Sequence, residues 1–168
     1  VDDVKNYWQE IVDEYGLNNN TNNHLLTYKQ KPIVAIWGVG FNRSDNYDLE
    51  DVQELIDFFK DDPVYGGCSV LLGVPKSWRT PGQGDAVNDA QLLEVIKSAD
   101  IVHPWTVGRY TSLSGADSYR STISADKEWC DNEDLLYMPV VFPGFSWQNL
   151  KKSQGVEADL NSIPRLEG

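Results

Sequence analysis

The chain has 168 residues, 40% of them hydrophobic, and a formal net charge of -12. This composition is typical of a globular domain, and the acidic balance argues against nucleic acid or an anionic membrane as a partner. No apolar run approaches the ~20 residues of a membrane-spanning helix, so we expect no membrane insertion. The two cysteines, Cys68 and Cys130, form neither a disulfide framework nor a zinc motif. Because the chain opens on Val1 rather than Met, we expect a mature form or part of a longer protein.

The chain then alternates between amphipathic segments and continuous apolar runs. Residues 1–15 are predicted to form a helix ended by Gly16, and Asp48 is predicted to cap a second helix over 48–60. Further helices are expected over 88–99 and, more weakly, over 117–130, and residues 146–168 are expected to be loop-like. Strands are predicted near 32–37, 68–74, 100–104 and 136–142. Their unbroken apolar character favours an α/β fold of parallel βα repeats, with the strands adjacent in sequence order.

Each predicted strand is followed by a loop that is rich in aromatic and hydrogen-bonding side chains. Because the carboxyl ends of parallel strands lie on one side of a sheet, these loops should converge there. Flat rings can stack on sugar rings while fixed donors and acceptors contact hydroxyl groups, so the pattern favours a carbohydrate site. The candidates from these loops are Trp37, Trp78, Arg79, His103, Trp105, Arg109, Tyr110, Phe145, Trp147 and Asn149.

Several of these candidates have structural alternatives. Trp37 continues an apolar run and is equally compatible with core packing, and His103 could be a structural histidine in the extended chain before Pro104. Arg109 could simply pair with a carboxylate. Trp105 and Trp147 are the stronger candidates, and we predict that they share one face with Arg109 and Tyr110, with Trp78 and Arg79 nearby.

Motifs for other chemistries are absent from the sequence. It contains no G-x-G-x-x-G, no P-loop and no G-x-S-x-G elbow, and two histidines, His24 and His103, cannot supply a histidine-rich metal site. No carboxylate sits directly at a strand end among apolar residues, where a general acid would have its pKa raised. The sequence therefore predicts no catalytic residue, no cofactor and no metal within this chain.

The motifs at the strand ends resemble those of glycoside hydrolase family 71/99-like proteins. The similar stretches are KPIVAIWGVGF, GVPKSWRT, ADIVHPWTVGRY, LLYMPVVFPGFSWQNL and NSIPR, which follow the family order over nearly the whole chain. This group includes endo-α-1,2-mannosidases and bacterial proteins labelled xylosidase or arabinosidase. The resemblance implies a (β/α)8 TIM barrel of which this chain is a central segment with about four of the eight strands.

The same resemblance implies retaining hydrolysis of an α-linked glycan. One carboxylate helps the substrate 2-hydroxyl to attack the anomeric carbon, the other protonates the leaving oxygen, and both are expected downstream of residue 168. This segment would position the sugar, with Trp105, Phe145, Asn161 and Arg165 at family contact positions. It would need the remainder of its own barrel, be poorly stable alone and hydrolyse nothing by itself. The family favours an extracytoplasmic location.

Two other interpretations stay open at this point. A non-catalytic carbohydrate-binding relative could use the same scaffold without the downstream acidic pair. An independent flavodoxin-like domain with four parallel strands is the other alternative, and it predicts a phosphate-binding loop after the first strand. The sequence GVGFNRSDNYD is a poor match to such a loop.

Overall fold

A computed structural model describes residues 1–17, 25–44, 47–110, 112–140 and 147–156, without the side chains of residues 147 and 148. The helices in these ranges are α1 (Asp2–Tyr15), α2 (Leu49–Asp61), α3 (Gln91–Ser98), α4 (Leu113–Asn132) and α5 (Trp147–Ser153). The strands are β1 (Thr27–Tyr28), β2 (Lys31–Trp37), β3 (Ser69–Pro75), β4 (Ile101–Trp105) and β5 (Leu136–Tyr137). None of the helices in the described ranges is both long and apolar enough to cross a bilayer.

The five strands form one sheet in the order β1-β2-β3-β4-β5. The neighbouring pairs from β2 to β5 are all parallel, which confirms the predicted α/β class and the predicted order of the four strands. The pair β1-β2 is antiparallel and was not predicted, because Thr27 and Tyr28 are too few to carry an apolar pattern. The last strand is also shorter than the predicted 136–142. Residues 138–140 are not strand, and residues 141 and 142 lie outside the described residues.

The helices α2, α3 and α4 pack on one face of this sheet. Their apolar side chains share a single core with Val70, Leu72 and Val74 of β3 and Val102 of β4, which are all fully buried. Because strands in sequential order with right-handed crossovers place every connecting helix on the same face, the topology and the packing agree. A flavodoxin-like order needs a reversal with helices on both faces, so that alternative is wrong for these strands.

The helix boundaries follow from local capping. The Asp48 carboxylate accepts a hydrogen bond from the backbone N–H of Glu50 at 2.8 Å, which confirms its predicted role as the cap of α2. Gly16 adopts a left-handed conformation with φ of 60° and ends α1, as predicted. The prediction of loop for residues 146–168 is wrong where α5 forms. Lys151 and Lys152 in its last turn favour a helix carboxyl end.

Candidate functional site

The second face of the sheet is not covered by these helices, and it carries an aromatic pair near the carboxyl ends of the strands. Trp37 of β2 lies opposite Gly73 of β3, and Gly73 in turn lies opposite His103 of β4. A Cβ atom on Gly73 would collide with the indole ring of Trp37, which shows that the ring lies directly over this glycine. The missing side chain in the central strand therefore leaves room for Trp37 to lie across the sheet.

Trp105 of β4 meets Trp37 edge-to-face above this gap. The ring centroids are 5.5 Å apart and the planes are at 89°, a favoured arrangement of two aromatic rings. The ring of Phe41 also contacts Trp37, with the ring centroids 5.4 Å apart and the planes tilted by 32°. Trp37 is 44% exposed and Trp105 is half-buried, so the two rings form an accessible corner rather than a closed core. We call Trp37 and Trp105 the aromatic corner.

His103 lies at the same level of the sheet as Trp37 and Gly73. Its ring nitrogen Nδ1 is 2.8 Å from the carbonyl oxygen of Met138. Since a carbonyl can only accept a hydrogen bond, Nδ1 carries a proton in this contact, and Nε2 is the ring nitrogen that can act as an acceptor in the tautomer that this bond favours. His103 is half-buried and its orientation is fixed by this bond. It is therefore suited to accept a hydrogen bond from a hydroxyl group beside the aromatic corner.

Arg109 is part of an ion pair at the carboxyl-end rim of the sheet. Its Nη2 atom lies 2.8 Å from Oδ2 of Asp85, in the loop that follows β3. The same carboxylate accepts hydrogen bonds from the backbone N–H groups of Lys76 at 3.3 Å and Ser77 at 3.0 Å. The backbone carbonyl of Asp85 also accepts from Asn42, in the loop after β2. Asp85 thus links the loops that follow three successive strands, and the alternative of a carboxylate partner for Arg109 is confirmed.

Tyr110 and Tyr119 form a stacked pair beside this rim. Their ring centroids are 6.0 Å apart with planes at 29°, and the Lys76 ammonium lies 5.1 Å from the Tyr119 centroid. Burial raises the pKa of the Tyr119 hydroxyl to about 12, with the nearby Asp126 carboxylate adding to the effect. Tyr119 therefore keeps its proton at neutral pH and contributes packing, whereas Tyr110 is the more accessible member of the pair.

Trp78 and Arg79 do not belong to the accessible rim. Trp78 is fully buried and packs edge-on against Trp129 at 4.9 Å, so its ring cannot reach a ligand in this structure. The guanidinium Nε of Arg79 is bonded to the buried carboxylate of Asp126, which also accepts from the Tyr137 hydroxyl at 3.2 Å. Both residues were predicted to contact sugar because they follow a strand, but their side chains turn toward the helix-covered face.

Asp126 has an unusual electrostatic environment for a carboxylate. Burial raises its pKa above the usual range, while Arg79 and the Tyr137 hydroxyl act in the opposite direction and favour the charged form. The indole N–H of Trp78 also favours the carboxylate, although it makes no hydrogen bond of normal geometry. This buried network joins the loop after β3 to α4 and β5, and we regard it as a structural support behind the rim.

The remaining sequence candidates lie at the end of the chain. Asn149 is an exposed residue of α5, and the backbone of Trp147 begins that helix, but the Trp147 side chain is outside the described part. The predicted shared face of Trp147 and Trp105 therefore concerns a side chain outside the described part of the chain. Phe145, Asn161 and Arg165 lie outside the described residues.

Sequence reasoning missed Asp85, Asp126 and Gly73. Asp85 follows Gly82 and Gly84, which adopt positive φ values of 81° and 57°, so a carboxylate after a glycine-rich turn was the available signal. Asp126 shares helical spacing with Tyr119, Ile123 and Cys130, which marks it as a buried carboxylate. Gly73 gave no signal, since its role depends on a cross-strand neighbour. Within the described ranges, no group of three or more His, Cys, Asp or Glu side chains is arranged to hold a metal ion.

Comparison with known proteins identified no relative. No family model, no curated protein and no solved structure matches the chain.

Proposed function

We propose that this chain is part of a (β/α)8-barrel domain of the glycoside hydrolase 71/99-like kind, and that its uncovered sheet face binds an α-linked glycan. The observation that carries the proposal is the aromatic corner beside His103, at the carboxyl ends of parallel strands. In α/β proteins with parallel strands, this edge is where ligands bind. The strand-end motifs PWTVGRY and PVVFPGFSW support the same family.

The topology supports a barrel over an open doubly wound sheet. Four parallel strands in sequential order, with their connecting helices on one face, are the repeating pattern of a (β/α)8 barrel. In such a barrel the uncovered face becomes the interior. Ala35, Leu71, Ile101 and Leu136 are in register across the sheet and would form one interior layer, while Trp37, Gly73 and His103 form the next layer toward the carboxyl ends.

The geometry suits a pyranose ring in a specific way. One ring of the aromatic corner offers a face for the apolar C–H surface of the sugar, and the perpendicular ring offers a wall. His103 contributes an acceptor for one sugar hydroxyl. The acidic pair that would carry out retaining hydrolysis belongs downstream of residue 168 in this proposal, so the present chain positions the glycan and does not cleave it.

The test is a titration of the chain with α-1,2-linked mannobiose and with aryl pentosides, followed by tryptophan fluorescence and calorimetry. Trp37→Ala and Trp105→Ala should each weaken binding about tenfold or more, as expected for a central aromatic contact. Tyr7→Ala is the matched control, because Tyr7 is an aromatic side chain of α1 that is 66% exposed. Binding that survives both tryptophan substitutions would contradict the proposed site, and turnover by this chain alone would show that its own carboxylates suffice.

A further inference from the structure

A cavity of about 530 Å³ lies beside β2, on the side away from β3. Its lining is mainly apolar and comes from α1, α2 and the strand, including Val1, Val4, Val34, Ile36, Leu55 and Phe59. Four consecutive residues, from Val34 to Trp37, line it. Because side chains of consecutive strand residues point to opposite faces, a cavity that touches all four must run along the strand edge itself.

Among the described residues, this edge of β2 presents backbone donors that have no backbone partner. The N–H of Ile33 points outward and donates to the carbonyl of Leu26, whereas Gly38 donates inward to Gly73 of β3. By alternation the N–H groups of Ala35 and Trp37 point outward as well. β1 pairs only with Lys31 and Pro32, so in the described ranges neither outward N–H has a backbone partner. The cavity is therefore bordered by hydrogen-bond donors at the spacing of a β-ladder.

The direction of α1 indicates which strand belongs there. Val1 lines the cavity together with Trp37 and Asp48, so α1 begins at the end of the sheet where β2 ends. Toward its other end, Trp8 donates to the Tyr65 carbonyl at 2.9 Å, in the segment that leads into β3. α1 thus runs antiparallel to β2. In a right-handed β-α-β unit, the strand that precedes such a helix lies parallel to the strand that follows it.

We propose that the cavity receives an extended apolar segment of the same polypeptide that leads into α1, pairs in parallel with β2 and accepts hydrogen bonds from Ala35 and Trp37. The rim carries the carboxylates of Asp48 and Asp51, so a neutral or basic segment is favoured over an acidic one. The inference deepens the barrel part of the proposed function and rests on it, but it does not depend on glycan binding. It predicts a run of about five to seven apolar residues, a typical strand length, shortly before Val1.

The test is amide hydrogen exchange on the 168-residue chain and on the chain extended by whatever residues its gene is found to encode before Val1. In the shorter protein, the amides of Ala35 and Trp37 should exchange about 100-fold faster than those of Val34 and Ile36, which point toward β3. The extension should slow the Ala35 and Trp37 amides by about the same factor. Equal exchange of the outward amides in both proteins, or a gene with no apolar run before Val1, would overturn the inference.

A proline pair sharpens the test. Ala35→Pro removes an outward N–H, which an edge strand tolerates, while Ile36→Pro removes a donor to β3 and should unfold both proteins. Ala35→Pro should leave the shorter chain folded and abolish most of the stabilisation that the extension provides. If Ala35→Pro unfolds the shorter chain as Ile36→Pro does, the assignment of the free edge is wrong. If the edge amides are protected in the extended protein but it binds no mannobiose, the added strand is supported and the glycan proposal is refuted. If the extended protein binds mannobiose but the edge amides stay unprotected, the glycan proposal is supported and the added strand is refuted.

Discussion

The two faces of the parallel sheet are built from alternate residues of the same strands, yet their environments differ. On the helix-covered face Val70, Leu72 and Val102 are 0% exposed and belong to one continuous core. On the other face Leu71 and Ile101 are also buried, at 9% and 1% exposed, whereas Trp37 is 44% exposed and Leu136 is 39% exposed. Both faces are apolar in sequence, so composition alone does not separate them. The comparison teaches that apolar character marks surfaces built for burial, and that among the described residues the second face leaves apolar side chains in water only around its buried centre at Leu71 and Ile101.

The largest effect should come from truncating the covered face. Leu72→Ala removes a fully buried side chain from the central strand and should lower the free energy of unfolding by about 3–4 kcal/mol, because it leaves a cavity in a packed core. Leu136→Ala makes the same chemical change on the uncovered face, where the side chain is already partly in water, and should cost less than about 1 kcal/mol. Urea unfolding of both variants measures the difference. Equal losses would mean that the uncovered face is packed in solution.

The fold was largely predictable from sequence, but the difference in burial between Leu72 and Leu136 was not. The four parallel strands, their order and the cap at Asp48 follow from local patterns of apolar run length and capping chemistry. The two-residue strand β1 and the helix α5 do not, because neither carries a strong apolar period. Which face of a strand is covered depends on all its neighbours at once, and no local pattern contains that information.

The candidate site was predictable at the level of residue types and strand ends, but not of side-chain direction. Trp37, His103, Trp105 and Arg109 are at the carboxyl-end edge as predicted. Trp78 and Arg79 follow a strand in the same way but turn inward, because the loop after β3 folds back against α4 and pairs Arg79 with Asp126. The inward turn depends on a buried carboxylate about 47 residues away in sequence, which strand-end reasoning does not take into account.

The second prediction concerns this buried pair, and its effect depends on pH. Arg79→Gln leaves the Asp126 carboxylate buried without its cation, so the pKa of Asp126 should rise further above its usual range. An acid whose pKa is higher in the folded than in the unfolded state loses stability as pH rises from the unfolded toward the folded value. We therefore expect Arg79→Gln to lower the free energy of unfolding by about 2–3 kcal/mol at pH 7 and by less near pH 4. The loss at pH 7 is below the range for a fully buried pair because the Arg79 side chain is 28% exposed.

Thermal unfolding of Arg79→Gln at a series of pH values measures this dependence. Arg79→Gln/Asp126→Asn is the matched control, since it removes the buried charge while the introduced amide keeps an acceptor oxygen for the Tyr137 hydroxyl. The double variant should show little additional pH dependence between these two pH values. A pH-independent loss in Arg79→Gln would show that the pair acts through packing alone.

The third prediction tests the arrangement of the uncovered face. Gly73→Ala places a methyl group where the Trp37 ring lies, so the ring must move away from Trp105. We expect the free energy of unfolding to fall by about 2 kcal/mol because of overpacking. We also expect a weaker exciton signal from the tryptophan pair in circular dichroism. In a Trp37→Ala background the obstacle is absent, and Gly73→Ala should then cost almost nothing. Additive losses in the double variant would contradict the proposed contact between Trp37 and Gly73.

The smallest effect is expected at the rim, where Asp85 joins three loops. Asp85→Asn retains an acceptor for the Ser77 N–H but presents an amide group to Arg109. The free energy of unfolding should therefore fall by about 1 kcal/mol. The Arg109 side chain is 38% exposed, which keeps the contribution of the ion pair itself small. Asp89→Asn is the matched control, because Asp89 accepts from the Gln91 N–H in the same loop and an asparagine serves equally well there.

The informative readout for Asp85→Asn is local rather than global. Amide exchange should accelerate at Lys76, whose N–H donates to the substituted oxygen, and much less at Ser77. Asp89→Asn should leave both amides unchanged. If the rim is the glycan-binding edge, Asp85→Asn should also weaken mannobiose binding, because the substitution loosens the loops. The amides of the covered core should keep their protection from exchange, because Leu72 and its neighbours stay packed. Uniform acceleration across the core would instead identify Asp85 as a residue of general stability, and the two faces of the sheet would then be less independent than their packing indicates.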